Sequence, residues 1–164
     1  MRRLPSIALA IACISLAPSV LEVRAEEIVF HSVTDGSPLD LTPKPGEKET
    51  AAVRKFRRTG RNPYNQQERA LREGRRLYAA RCQGCHLSNG KGRMGTSLVA
   101  DQPEYSQSLT DAGMFEIIYG GATGSMQPFS LQGLRQDNML KVMAYVRSLR
   151  RSASPADRQA PKQK

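Results

Sequence analysis

Two thiols and an imidazole stand within one short stretch, Cys82-Gln83-Gly84-Cys85-His86. The spacing C-x-x-C-H is the attachment signature of c-type haem. Both thiols add to the haem vinyl groups, and the adjacent imidazole swings beneath the ring, where it can bind the iron. Two rival chemistries use parts of the same motif. A thioredoxin-like dithiol follows a strand in a βαβ unit, and no such unit is visible here. A structural zinc site wants a fourth Cys or His ligand, and His31 is the only histidine left. Covalent haem c is the reading that the motif supports.

A haem iron held by His86 has a second axial position. His31 lies in an N-terminal arm and reads as a surface residue. Met94 follows His86 so closely that it would have to double back. Met114, Met139 and Met143 fall at helix spacing, where a core role is the simpler reading. Met126 differs, because it sits in the loop Gly124-Ser125-Met126-Gln127-Pro128-Phe129. Such a loop can wrap over the second haem face, with Pro128 stiffening it and Phe129 beside the ring. The expected ligands are therefore His86 and Met126. His/Met ligation favours electron transfer over oxygen chemistry and fills both axial sites, so no enzyme activity is expected.

The elements that must position these residues read as helices. Glu47 to Thr59 is a candidate helix, with acids in its first turn, Val53 and Phe56 inward and Gly60 as a stop. Asn65 can cap a second helix from Gln66 to Arg81, whose inward face is Ala70, Leu71, Gly74, Leu77 and Tyr78. Gly74 costs that helix about 1 kcal/mol against Ala, which a close helix crossing would explain. Thr110 or Ser108 caps a short helix through Tyr119, stopped by Gly120-Gly121. Asp137 to Arg150 is the last helix, with Leu140, Met143, Val146 and Leu149 inward. Ile28-Val29-Phe30 is a candidate short strand. No strand pattern is able to build a sheet, so the fold class is all-α.

The 164 residues carry 25 Lys and Arg against 15 Asp and Glu, a net charge of +10. Hydrophobic residues reach 39%, but aromatics only 5%, with no Trp. Such a chain gains from a cofactor or partner surface in its core. Three cysteines exclude a disulfide scaffold. Arg2 and Arg3, the apolar run Ile7 to Leu16 and Val23-Arg24-Ala25 read as a signal peptide over residues 1–25, too short for a membrane span. The expected location is periplasmic, without stable membrane insertion after cleavage. The excess charge sits in the signal, in Arg54 to Arg81 and in the tail. No aromatic platform is interleaved with the basic residues, so nucleic-acid binding is not expected. The remaining organisation is an arm and helix over 26–65, a haem domain over 66–150 and a disordered basic tail over 151–164.

Gly74 and Tyr78 before the motif, and Tyr145 in the last helix, resemble the class I cytochrome c fold. There an N-terminal and a C-terminal helix cross and the haem lies between loops. Three further stretches resemble the cytochrome c-L family, electron acceptors of PQQ-dependent methanol dehydrogenase. They are Phe30 to Asp40-Leu41, Thr59-Gly60-Arg61-Asn62-Pro63-Tyr64-Asn65, and Asp111 to Ala122 with Asn138 to Ala144. The resemblance implies a single haem on Cys82 and Cys85, with His86 and Met126 as ligands, behind an N-terminal extension. It implies single electrons taken from a PQQ-dependent methanol or alcohol dehydrogenase and passed to a second cytochrome c. A calcium ion is also associated with the family, with no ligands assignable here. Two departures stand out. Gly95-Thr96-Ser97-Leu98 replaces the usual Gly-Pro-x-Leu, leaving the Thr96 carbonyl to orient His86 without a rigid proline. The chain is also basic where familiar members are acidic, which points to a dehydrogenase with a more acidic face, such as a lanthanide-dependent branch.

Overall fold

Thr50 opens the first helix by using its hydroxyl twice. In extended backbone it accepts the Val53 amide at 3.2 Å and donates to Asp137 at 2.7 Å. The computed structural model describes residues 28–159, and the expected signal segment lies outside them. Six α-helices follow in order: α1 Ala51–Thr59, α2 Glu68–Arg81, α3 Gln83–His86, α4 Asp111–Gly120, α5 Gln136–Ser152 and α6 Pro155–Arg158. A 3-10 turn at Ser106–Leu109 precedes α4.

α2 and α5 make the main crossing. A Cβ on Gly74 would stand 2.0 Å from the Lys141 carbonyl oxygen, so only glycine allows the backbones to meet. One turn on, Tyr78 and Tyr145 pack edge to face with ring centroids 5.3 Å apart. Met139, Leu140, Val142 and Met143 seal the underside of α5, none more than 1% exposed. α4 lies against α5 and is apolar almost all round, with Met114, Phe115, Ile117 and Ile118 buried. Thr110 caps it by accepting the Gly113 amide at 3.0 Å.

The arm belongs to the same core. Phe30, Phe56 and Phe115 form a triangle with centroids 5.0–5.4 Å apart, and Tyr119 stacks on Phe115. Four of the nine aromatics are thus gathered where the arm, α1 and α4 meet. Each such pair adds about 0.5–1.5 kcal/mol beyond area burial. Polar ties fix the register: the His31 amide donates to Glu116, Gln136 donates from its side chain to the Leu41 carbonyl, and Asn62 donates to the Leu140 carbonyl.

Four expectations need correction. Among the described residues Ile28–Phe30 form no strand, only an isolated bridge between His31 and Pro38. Glu47 and Glu49 precede α1 rather than filling its first turn, because Thr50 takes the cap and Glu47 binds the Gln136 amide instead. Asn65 does not cap α2, which starts later, at Glu68; its amide is spent on Asp111. The tail over 151–164 is not disordered through Gln159: α5 runs to Ser152, and Ser154 caps α6 with Pro155 at its first position.

Asp137 gathers α1, α2 and α5. It accepts from Thr50 and Tyr64 and pairs with Lys141 at 2.9 Å, while Lys141 also reaches Glu73 on α2. Burial raises the Asp137 carboxyl, but the hydrogen bonds from Thr50, Lys141 and Tyr64 more than offset it, and the group titrates below its usual range. Its stabilisation is therefore complete above the unfolded carboxyl value, about 3.9, and is lost as pH falls through the lower folded value. Asp137→Asn is expected to lose roughly 2 kcal/mol at pH 7, and the gap to the parent should narrow as pH falls below the unfolded carboxyl value. Urea unfolding across that range checks both statements.

Candidate haem site

α2 ends by feeding directly into the motif. Tyr78 terminates the last full turn, its carbonyl accepting the Cys82 amide at 2.8 Å. Cys82 then precedes the single turn of α3 that carries Cys85 and His86, the His86 amide bonding the Cys82 carbonyl at 2.9 Å. Leu87 leaves that turn at φ 60° and ψ 166°, a positive-φ conformation that glycine favours. A side chain there costs on the order of 1–3 kcal/mol. The Tyr78 hydroxyl offsets it by donating to the Leu87 carbonyl at 2.7 Å. A tyrosine expected only as a crossing residue thus also pins the exit of the motif.

The loop after α3 folds back onto it. The amides of Arg93 and Gly95 both donate to the Cys85 carbonyl at 3.1 Å, and Gly92 donates to the His86 carbonyl. This fold-back sets the Thr96 carbonyl 2.9 Å from His86 Nδ1. A carbonyl only accepts, so Nδ1 carries the proton and Nε2 keeps a free lone pair. Burial holds the imidazole below its usual range, against the opposing effect of the Thr96 bond, so the ring is neutral at pH 7. A neutral imidazole is the form that ligates a metal.

Neither motif cysteine is in a disulfide, and Cys82 is half-buried against the core while Cys85 is exposed. Burial, reinforced by Cys85 and opposed by Arg81, pushes the Cys82 thiol up to about 11. Met126 is half-buried against the same core, on the loop after α4. Its carbonyl accepts the Ala122 amide at 2.9 Å, which closes a short loop below Pro128. Met94 is 72% exposed, whereas Met114, Met139 and Met143 are buried core residues. His31 is exposed.

These residues fit a covalent haem. Two cysteines outside any disulfide and an imidazole with its outer nitrogen free stand together at one rigid turn. Gly95 is the residue that spacing did not reveal: a Cβ there would stand 2.6–3.0 Å from three atoms of the imidazole ring. The ring therefore rests on bare backbone. Among the described residues no three His, Cys, Asp or Glu side chains cluster as a metal site.

The comparisons agree with this geometry. The model for cytochrome c oxidase, cbb3-type, subunit III matches residues 69–146, the stretch holding both crossing helices and the motif. The crystal structure of cytochrome cL from the marine methylotrophic bacterium Methylophaga aminisulfidivorans MPT is 38% identical, covers 74% of this chain and 81% of its own, and superposes with TM-score 0.72. This chain belongs to the cytochrome c-L family. Cytochrome cL from Hyphomicrobium denitrificans is similar at 37% identity and TM-score 0.70, over 74% of this chain and 73% of its own. Cytochrome c-L of Methylorubrum extorquens is 38% identical over 123 residues, 74% of this chain. The aligned part spans 62% of that curated relative. The all-α class I cytochrome c fold is thereby shown, and with it a haem cofactor.

Gly95→Ala is expected to push the His86 ring off its rest, because the neighbouring atom is a packed imidazole rather than a flexible chain end. The expressed protein should carry covalent haem at severalfold lower yield, read as haem absorbance per polypeptide. Ser97→Ala, on the same loop, should leave that yield unchanged.

Proposed function

We propose that this protein is a periplasmic, monohaem electron carrier. It accepts single electrons from a PQQ-dependent methanol or alcohol dehydrogenase and hands them to a second cytochrome c. Cys82 and Cys85 hold the haem, and His86 and Met126 ligate its iron. Bound haem supplies the one-electron couple. The chain's own residues hold the Nδ1 proton of His86 on Thr96, keep the histidine neutral and exclude water with the α4 and α5 core. No proton donor or nucleophile is needed for outer-sphere transfer.

One observation carries the choice of partner over a general respiratory shuttle. The likeness to cytochrome c-L relatives covers 74% of this chain, more than the haem core over 69–146. The additional part is structurally committed. Phe30 is 1% exposed and Phe56 1% exposed, both against α4. A shuttle needs only the core. No helix among the described residues is long and apolar enough to cross a membrane.

The docking candidate is the basic stretch Arg54 to Arg81, with the loops around the motif. On α2, Arg69 and Arg72 are paired with Glu73 and Glu68, while Arg75, Arg76 and Arg81 lie exposed on the turns that approach Cys82. Small, polar, briefly formed interfaces suit electron transfer, and a basic face selects an acidic one.

Stopped-flow reduction of the holo-protein by purified PQQ alcohol dehydrogenases, of calcium and lanthanide type, tests the reading. Rapid reduction by one of them should fall about tenfold or more as salt screens the encounter. No reduction by either would reject the dehydrogenase as partner. Met126→Ala should retain covalent haem, lower the potential and let added imidazole bind the iron; an unchanged potential and no imidazole binding would remove Met126 as a ligand.

A further inference from the structure

The loop that orients His86 is gripped from outside by the C-terminal segment. Lys91 Nζ lies 2.5 Å from Asp157. The Asp101 amide donates to the Arg158 carbonyl at 2.8 Å. The Asp101 carboxylate also faces Arg150 at 3.3 Å and Arg158 at 3.7 Å. Lys91 and Asp101 stand five residues before and five after Thr96. α6 therefore straddles the stretch that bears the histidine's hydrogen-bond partner and holds it at both ends. α6 is itself fixed: Ser154 caps it, Arg158 donates back to the Ala153 carbonyl, and α5 runs into it after Ser152.

The stretch between the two grips is tied inward to α3 by the Gly92, Arg93 and Gly95 amides, and the grips hold it from the outer side. Gly92 and Gly95 are both needed for close approach, a Cβ on Gly92 standing 2.3 Å from the Gly95 oxygen. Thr96 occupies the place where a proline would fix the backbone. An exposed ion pair such as Lys91–Asp157 is weak alone, but the backbone bond to Arg158 is not screened by salt. Together they close the loop over a fixed span.

We propose that residues 153–159 act as a positioning clamp for the axial histidine, with Asp157, Lys91 and Asp101 as positioning residues. The clamp holds the Thr96 carbonyl against His86 Nδ1, and that bond raises the basicity of the iron-facing nitrogen. The inference rests on the haem reading of His86, through which it has a redox consequence.

The experiment uses the holo-protein truncated after Ser152, Asp157→Asn in the full chain, and the exchanged pair Lys91→Asp with Asp157→Lys. Native-state hydrogen exchange should show the Gly92, Gly95 and Leu98 amides losing at least tenfold protection in the truncated protein, with α4 amides unchanged. The midpoint potential should rise as the Nδ1 bond loosens, and Asp157→Asn should move both readings the same way by less. The exchanged pair should restore both. Unchanged loop protection and potential in a folded truncated protein would overturn the clamp, as would an equal loss of protection in α4. Should the truncated chain not fold, Asp157→Asn against the exchanged pair decides on the same two readings. Absence of covalent haem in the parent protein would instead reject the haem reading, while the exchange result would still report on the grip.

Discussion

Backbone meets backbone where α2 crosses α5, and most of the molecule follows from that contact. Gly74 has no Cβ, so the Lys141 carbonyl can approach. The two helices then lie close enough for Tyr78 and Tyr145 to pack edge to face. Tyr78 is held on its ring side by that contact and reaches the exit of the motif with its hydroxyl. The direction in which α2 ends is thus set by α5, and that direction is inherited by Cys82, Cys85 and His86. A helix crossing governs the site although no residue of the crossing face is a proposed ligand.

Carboxylates make the junctions that apolar packing leaves open. Asp111 accepts from the Asn62 amide, the Asn65 side chain and Arg147. Asp137 does the same for α1, Tyr64 and Lys141. Each sits in the first turn of its helix, where the positive end of the backbone dipole favours negative charge. One side chain therefore stabilises a helix terminus and docks a neighbouring loop. Part of the basic excess of the chain is left on the outer face of α2, where Arg75, Arg76 and Arg81 are exposed.

Local signals carried much of this arrangement into the sequence. Gly60, Thr110 and Gly120-Gly121 act within one or two turns of themselves, and their roles as stop, cap and stop are readable there. The C-x-x-C-H spacing and the costly Gly74 are likewise local. What was not readable depends on partners far along the chain. Asn65 looks like a helix cap until Asp111 claims its amide. Glu47 looks like a first-turn acid until the Gln136 amide claims it. The polar composition after Ser152 suggests disorder, because nothing nearby shows that Lys91 and Asp101 wait to receive it. Gly95 reads as a loop glycine, since no sequence pattern places an imidazole on it. The proposed ligand Met126 was singled out by its loop, and the structure sets it half-buried in that loop against the core.

The ties of the arm span 85 to 95 residues: His31 to Glu116, Glu47 to Gln136 and Leu41 to Gln136. In a chain delivered N-terminus first, none of these partners exists until residues beyond 110 have emerged. Closing such long loops is entropically late and kinetically slow. The thiols at 82 and 85 therefore come out while the α4 and α5 part of the core against which Cys82 packs is still missing. The same topology that half-buries one thiol in the finished protein leaves both accessible during its making, when the proposed haem attachment would take place.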